Sequence, residues 1–196
     1  PKRREGLIRG KDGLEAVEMN SRKMLGLATA TVIGFISVTT PAIAQQVSEN
    51  IVSKQEDWSV YEDADPKECW AVAAPEETVN TRDGRVVTVT RSQMLLMTFY
   101  RPGAGVDAQV TFTGGYPFAN GSTVNLNVDG TQFELITQGE WAWPENKSED
   151  AKIVAAMKRG ASAIVTARSS RGTQTKDTFS LTGFTAAVNE AQSRCK

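Results

Sequence analysis

The stretch Val124 to Leu135, VNLNVDGTQFEL, constrains this chain more than any other. Asp129-Gly130 suits a two-residue turn with positive φ, the strongest short-range hairpin signal. Folding about it pairs Val128 with Thr131, Leu126 with Phe133 and Val124 with Leu135. The apolar partners then share one face, while Asn125, Asn127, Gln132 and Glu134 share the other. Turn chemistry and register agree, and a β-hairpin with one dry face follows.

Much of the rest reads the same way. Asp57–Tyr61 and Cys69–Ala73 are short strands around the turn DADPK, Asp63 to Lys67. Thr81-Arg82-Asp83-Gly84 turns the chain before Val86–Val89. Met94 to Tyr100, MLLMTFY, is a strand buried on both faces or, in competition, a short buried helix. Arg101-Pro102-Gly103-Ala104-Gly105 ends it, and Gln109–Thr113 alternates again. Ser148-Glu149-Asp150 opens a helix with Ile153, Ala156 and Met157 as its stripe, closed by Lys158-Arg159-Gly160. After strands at Ala161–Arg168 and Thr175–Leu181, the residues Phe184, Ala187, Val188, Ala191 and Cys195 recur at helical spacing. The expected fold is mainly β: an antiparallel β-sandwich of about eight strands with two short helices.

Residues 19–44 read as targeting. Met19 to Met24 carries Arg22 and Lys23, Leu25 to Val38 is uncharged and mostly apolar, and Ala42-Ile43-Ala44 offers an A-x-A cleavage site. A membrane anchor is the competing reading, but a span needs about 20 apolar residues. The expected organisation is an upstream extension (1–18), a signal peptide (19–44), a flexible mature N-terminus (45–56) and one β-sandwich domain (57–196). Residues 1–44 hold seven Lys/Arg against four acids, leaving 15 basic and 19 acidic residues beyond them, a net of -4. An acidic domain lacks the electrostatic footprint of a nucleic-acid binder. The expected location is the periplasm or outer envelope, with no stable membrane span in the mature protein.

Two cysteines in an exported domain, Cys69 and Cys195, invite one disulfide. Free thiols and a redox pair are the alternatives, the latter weakened by the absence of C-x-x-C and by a separation of 126 residues. A bridge would tie the end of the last helix to an early strand.

The chain has no histidine, which removes the imidazole base and the commonest metal ligand. Carboxylate pairs, lysine bases and tyrosine stay open. No phosphate-loop pattern or G-x-S-x-G elbow occurs, and no cofactor is expected. Glu62, Asp63, Asp65 and Glu68 cluster without a calcium-loop pattern and read as a solvated turn. Trp141 and Trp143 are candidates for a ligand-binding aromatic platform, for sugar or peptide. Core packing competes, because counting by twos from Phe133 and Leu135 puts both on the apolar face unless Gly139 introduces a bulge.

Several short segments occur in an order that resembles one family. They are Asp57-Trp58 with Cys69-Trp70, Gly114-Gly115-Tyr116-Pro117, and Ile153 to Gly160 (IVAAMKRG). After these come Ser170-Arg171-Gly172-Thr173, Asp177 to Leu181 (DTFSL) and Gly183 to Ala187 (GFTAA). Together they resemble the invasion-associated locus B family of alphaproteobacterial envelope proteins. That resemblance implies a β-sandwich in the periplasm or outer envelope and, in host-associated members, a part in host-cell invasion. It carries no catalytic residues. The expected function is therefore binding to an envelope or host-surface component, without catalysis. A carboxylate enzyme directed at glycans and a chaperone-like module presenting a sheet edge are the alternatives.

Overall fold

The computed structural model describes residues 50–196. The upstream extension, the signal peptide and the start of the 45–56 segment lie outside the described residues. In chain order the strands are β1 (Ile51–Gln55), β2 (Trp58–Ala64), β3 (Lys67–Ala73), β4 (Glu77–Arg82), β5 (Arg85–Val86) and β6 (Leu95–Arg101). They continue as β7 (Val106–Thr113), β8 (Val124–Val128), β9 (Thr131–Gln138), β10 (Trp141–Trp143), β11 (Ser162–Arg168) and β12 (Gln174–Ser180). Helix α1 (Lys147–Met157) lies between β10 and β11, and α2 (Phe184–Arg194) follows β12.

Every strand pairing is antiparallel, in the order β1-β2-β3-β6-β7-β10-β9-β8-β11-β12-β4-β5. The ladder turns back on itself at β9, which pairs β10 on one side and β8 on the other. Two halves thus face each other. Phe112 of β7 meets Phe179 of β12 edge-on at 6.2 Å, and the Trp58 indole N–H donates to Ser180 O at 3.0 Å. The inward residues of the longer strands form one core, among them Trp58 and Val60, Leu96 and Tyr100, Val110 and Phe112, Leu126, Val165 and Phe179.

The described residues hold twelve strands rather than about eight. The additions are β1 and β4, whose sequences IVSKQ and ETVNTR lack a clean apolar alternation, and the three-residue β10. Ile51–Gln55 is accordingly a strand paired with β2, not part of a flexible N-terminus. Met94 to Tyr100 forms strand β6 rather than a helix, with Leu96, Met97, Thr98 and Tyr100 buried.

The Asp129-Gly130 hairpin has the expected register, Val124 opposite Leu135 and Leu126 opposite Phe133. Asp129 and Gly130 take φ of 45° and 96°, the mirror-image turn that matches strand twist. Helix α1 starts one turn-residue earlier than Ser148: Asn146 is the cap, its Oδ1 accepting from Ser148 N and Glu149 N at 3.1 Å each.

Helix α2 buries Phe184, Ala187, Val188 and Ala191, the stripe expected from spacing. Phe184 stands edge-on to Trp58 at 4.8 Å. Cys195 meets Cys69 of β3 in a disulfide, with Cα atoms 5.8 Å apart, inside the range a bridge requires. A second tie fastens the same helix. Glu190 accepts from Ser53 Oγ at 2.6 Å and Gln55 Nε2 at 2.9 Å, and pairs with Arg194 at 2.8 Å.

Candidate functional site

Trp141 and Trp143 are not core residues. Trp141 is 46 % exposed, Trp143 is half-buried, and Ala142 between them is fully buried. The cause is a turn, not a bulge. Gly139-Glu140 forms a two-residue connection, with Trp141 opposite Gln138 and Ala142 opposite Thr137. A two-residue turn shifts the count by one, so the residues that continue the inward series of Phe133 and Leu135 are Thr137 and then Ala142. Both tryptophans therefore share the outer face with Gln138 and Ile136.

That outer face is aromatic well beyond β10. Tyr61, Trp70 and Phe99 are cross-strand neighbours on β2, β3 and β6. Tyr61 stacks on Trp70 at 5.4 Å and 7°, and Trp70 on Phe99 at 5.8 Å. Arg101 lies 4.3 Å over the Phe99 ring, a cation–π contact. Its Nε is 3.1 Å from Glu68 Oε2 without hydrogen-bonding alignment. Phe99, Arg101, Gln109, Thr111, Trp141 and Trp143 line a shallow groove of about 300 Å³. Three of the four tryptophans thus face outward, and Trp58 alone serves the core.

A larger cleft, about 620 Å³, opens between the 114–117 turn, the 169–173 turn and the segment after β5. Arg91 lines its floor and is held from beneath in an ion pair. Arg91 grips Asp177 with two parallel bonds, Nη1–Oδ1 at 2.7 Å and Nη2–Oδ2 at 2.5 Å, and its Nε donates to Gly114 O at 2.8 Å. Their side chains are 4 % and 0 % exposed. The guanidinium also lies 5.1 Å over the Tyr116 ring, whose hydroxyl bonds Thr175 Oγ1 at 2.5 Å. Burial pushes the Tyr116 phenol above its usual range, partly offset by the Thr175 bond. The segment carrying Arg91 lies against Gly115, where φ is +73° and a Cβ would sit 2.9 Å from the Ser92 backbone. Only glycine fits there. Arg82 and Arg171 stand on the walls, Arg82 donating to Thr173 Oγ1 at 2.6 Å, with Glu140 as the one acid among the lining residues.

Sequence reasoning missed this cleft. One signal was available: in QTKDTFS the alternation places Asp177 inward with Thr175 and Phe179, and an inward acid needs a partner. Nothing local names Arg91, 86 residues away. In the acidic cluster at the β2–β3 turn, Glu62 and Glu68 are in ion pairs, Asp63 accepts from Asn50, and Asp65 faces water. Glu62 bonds Lys67 and lies 3.0 Å from Arg194, which together hold its carboxyl below the usual range. Among the described residues no three His, Cys, Asp or Glu side chains come together as a metal site. Asp150 is an acid of α1's first turn, as expected, and also turns inward and accepts from Val110 N at 2.8 Å; burial raises its carboxyl above the ordinary value.

Among the described residues no helix is long and apolar enough to cross a membrane. No curated protein matches the sequence. The chain is similar in structure to the crystal structure of invasion associated protein B from Bartonella henselae, at 18 % identity and a TM-score of 0.49, over 72 % of this chain and 95 % of that one. The family model for the invasion associated locus B (IalB) protein matches residues 58–192. This chain belongs to the invasion associated locus B family.

Proposed function

We propose that this is an exported envelope protein that works by binding rather than catalysis, with the aromatic outer face around Trp141 and Trp143 as its contact surface. One observation carries the reading. Trp141 is 46 % exposed on a sheet face that already displays Tyr61, Trp70, Phe99 and Trp143. Neighbouring aromatic side chains reaching water on one sheet face mark an interaction surface. The favoured occupant is a saccharide of the envelope or host surface. Pyranose rings present an apolar C–H face to an aromatic ring and hydroxyls at its rim, where Arg101, Gln109 and Thr111 border the groove.

Export is supported by the segment from Met19 to Ala44, and a disulfide suits an oxidising compartment. Family membership adds the envelope and, in a host-associated organism, invasion. The test is intrinsic tryptophan fluorescence during titration with N-acetylglucosamine oligosaccharides and, separately, with extended peptides. Saturable quenching by the saccharide, lost in Trp141→Ala, is the expected result. Quenching by peptides alone would replace the saccharide with a peptide partner. A Trp141→Ala variant that binds as the parent does would refute the surface.

A further inference from the structure

We infer that the 620 Å³ cleft above the Arg91–Asp177 pair is a second binding site, for a small ligand whose phosphate or carboxylate group is taken by Arg82 and Arg171. It goes beyond the aromatic-face reading and stands without it, since neither Trp141 nor Trp143 lines this cleft.

The volume falls within the range of small-molecule sites. The floor is neutral and fixed, because Arg91 spends its fork on Asp177 and its Nε on Gly114 O. Arg91 therefore has no bidentate edge to offer a ligand. The walls are different. Among the described residues neither Arg82 nor Arg171 is in an ion pair, and the one hydrogen bond from their guanidinium groups is Arg82 Nη2 to Thr173 Oγ1. Both cations line one cleft, and their planar donors suit phosphate or carboxylate oxygens.

The surrounding hydroxyls extend the match. Ser92, Ser169, Ser170 and Thr90 also line the space. The Ser169 Oγ accepts from Thr173 N at 3.1 Å, which holds the turn that presents Arg171. Glu140, also a lining residue, is in no ion pair among the described residues and supplies an acceptor for a ligand hydroxyl. Two cations, several hydroxyls and one acid together favour an anionic group on a hydroxyl-bearing molecule. The placement draws on several separate segments: Arg82 comes from β4, Val89 to Ser92 from the stretch after β5, Gly115 to Pro117 from one turn, and Ser169 to Arg171 with Thr173 from another.

The test is calorimetric titration of the mature, disulfide-bonded protein with inorganic phosphate and with glucuronate, in low-chloride buffer. Saturable binding of at least one probe is expected, weakened at least about tenfold in Arg82→Ala/Arg171→Ala, as the loss of charge-assisted bonds requires. Lys152→Ala, on α1 and lining neither the cleft nor the aromatic groove, should bind both probes as the parent does. Binding of phosphate alone assigns a phosphoryl group, and binding of glucuronate alone assigns a carboxylated sugar. Arg171→Glu, at a side chain with no hydrogen bond among the described residues, provides a second variant should the double substitution disturb folding. Absence of saturable binding by either probe, or equal affinity in a folded Arg variant, would overturn the inference.

Discussion

The two halves of the strand ladder share one core but present opposite outer faces. On β2, β3, β6 and β10 the outward residues include Tyr61, Trp70, Phe99, Trp141 and Trp143. On β8, β11, β12 and the first half of β9 they include Asn125, Asn127, Gln132, Glu134, Thr166, Lys176 and Thr178, with Ile164 among them, while Ile136 in the second half of β9 sides with the tryptophans. The second set is the ordinary solution for an antiparallel sheet wet on one side. Because both faces belong to the same fold, folding alone does not demand the aromatic one. The halves also differ in how they are fastened. A disulfide and the α2 contacts secure the aromatic half, and the Arg91–Asp177 pair secures the polar half.

The largest effect is expected at the polar half's fastening. Arg91→Ala leaves Asp177 charged, buried and unpaired, and should cost about 3–5 kcal/mol in denaturant unfolding. Replacing both with apolar residues of similar volume should recover most of that loss. A single-variant cost under about 1 kcal/mol would mean that the pair fastens nothing.

The aromatic half's fastening comes next. Reduction, or Cys195→Ser, should cost about 2–4 kcal/mol and lower the melting temperature of the whole protein. Equal melting of oxidised and reduced protein would leave the thiols without a structural role. A turn in the polar half is worth less: Gly130→Val, at φ of 96°, should cost about 1–3 kcal/mol through backbone strain. An unchanged midpoint would argue for a different turn.

Acid should act on the aromatic half first. Lys67 and Arg194 lower the Glu62 carboxyl, and Ser53 and Arg194 lower that of Glu190. Groups lowered on folding stabilise above the ordinary carboxylate range and lose that contribution as pH falls through it. Melting temperature should therefore decline below about pH 4.5, where both groups ordinarily titrate, with Arg194→Met flattening the decline. Identical profiles for parent and variant would remove Arg194 from the account. The smallest stability effect is Trp141→Ala, within about 0.5 kcal/mol of the parent, as for an exposed side chain outside the core. A cost of several kcal/mol there would turn the aromatic face back into scaffold.

The hairpin at Asp129-Gly130 and the α2 stripe were readable from sequence because each is a local pattern: a turn dipeptide inside strict alternation, and a helical repeat ending at Cys195. Trp141 and Trp143 were placed on the wrong face by the same rule of twos, because Gly139-Glu140 lacks the Asn-Gly or Asp-Gly signature and its turn went uncounted. Strands β1 and β4 escaped because their burial is partial and their residues mixed. The cleft was least legible. Its parts come from segments far apart in the chain, and only Asp177, an acid at an inward position, announced that a cation must come to meet it.

The Cys69–Cys195 bond makes a covalent ring of everything from β3 to the end of α2. Mechanical load applied beyond residue 195 therefore enters the molecule at β3, inside the aromatic half, without passing through β4 to β12. Cutting any one loop within the ring, such as the 169–173 turn that carries Arg171, opens the circle into a line but releases no fragment. Both candidate binding surfaces would then stay on one covalently continuous body after a single cleavage.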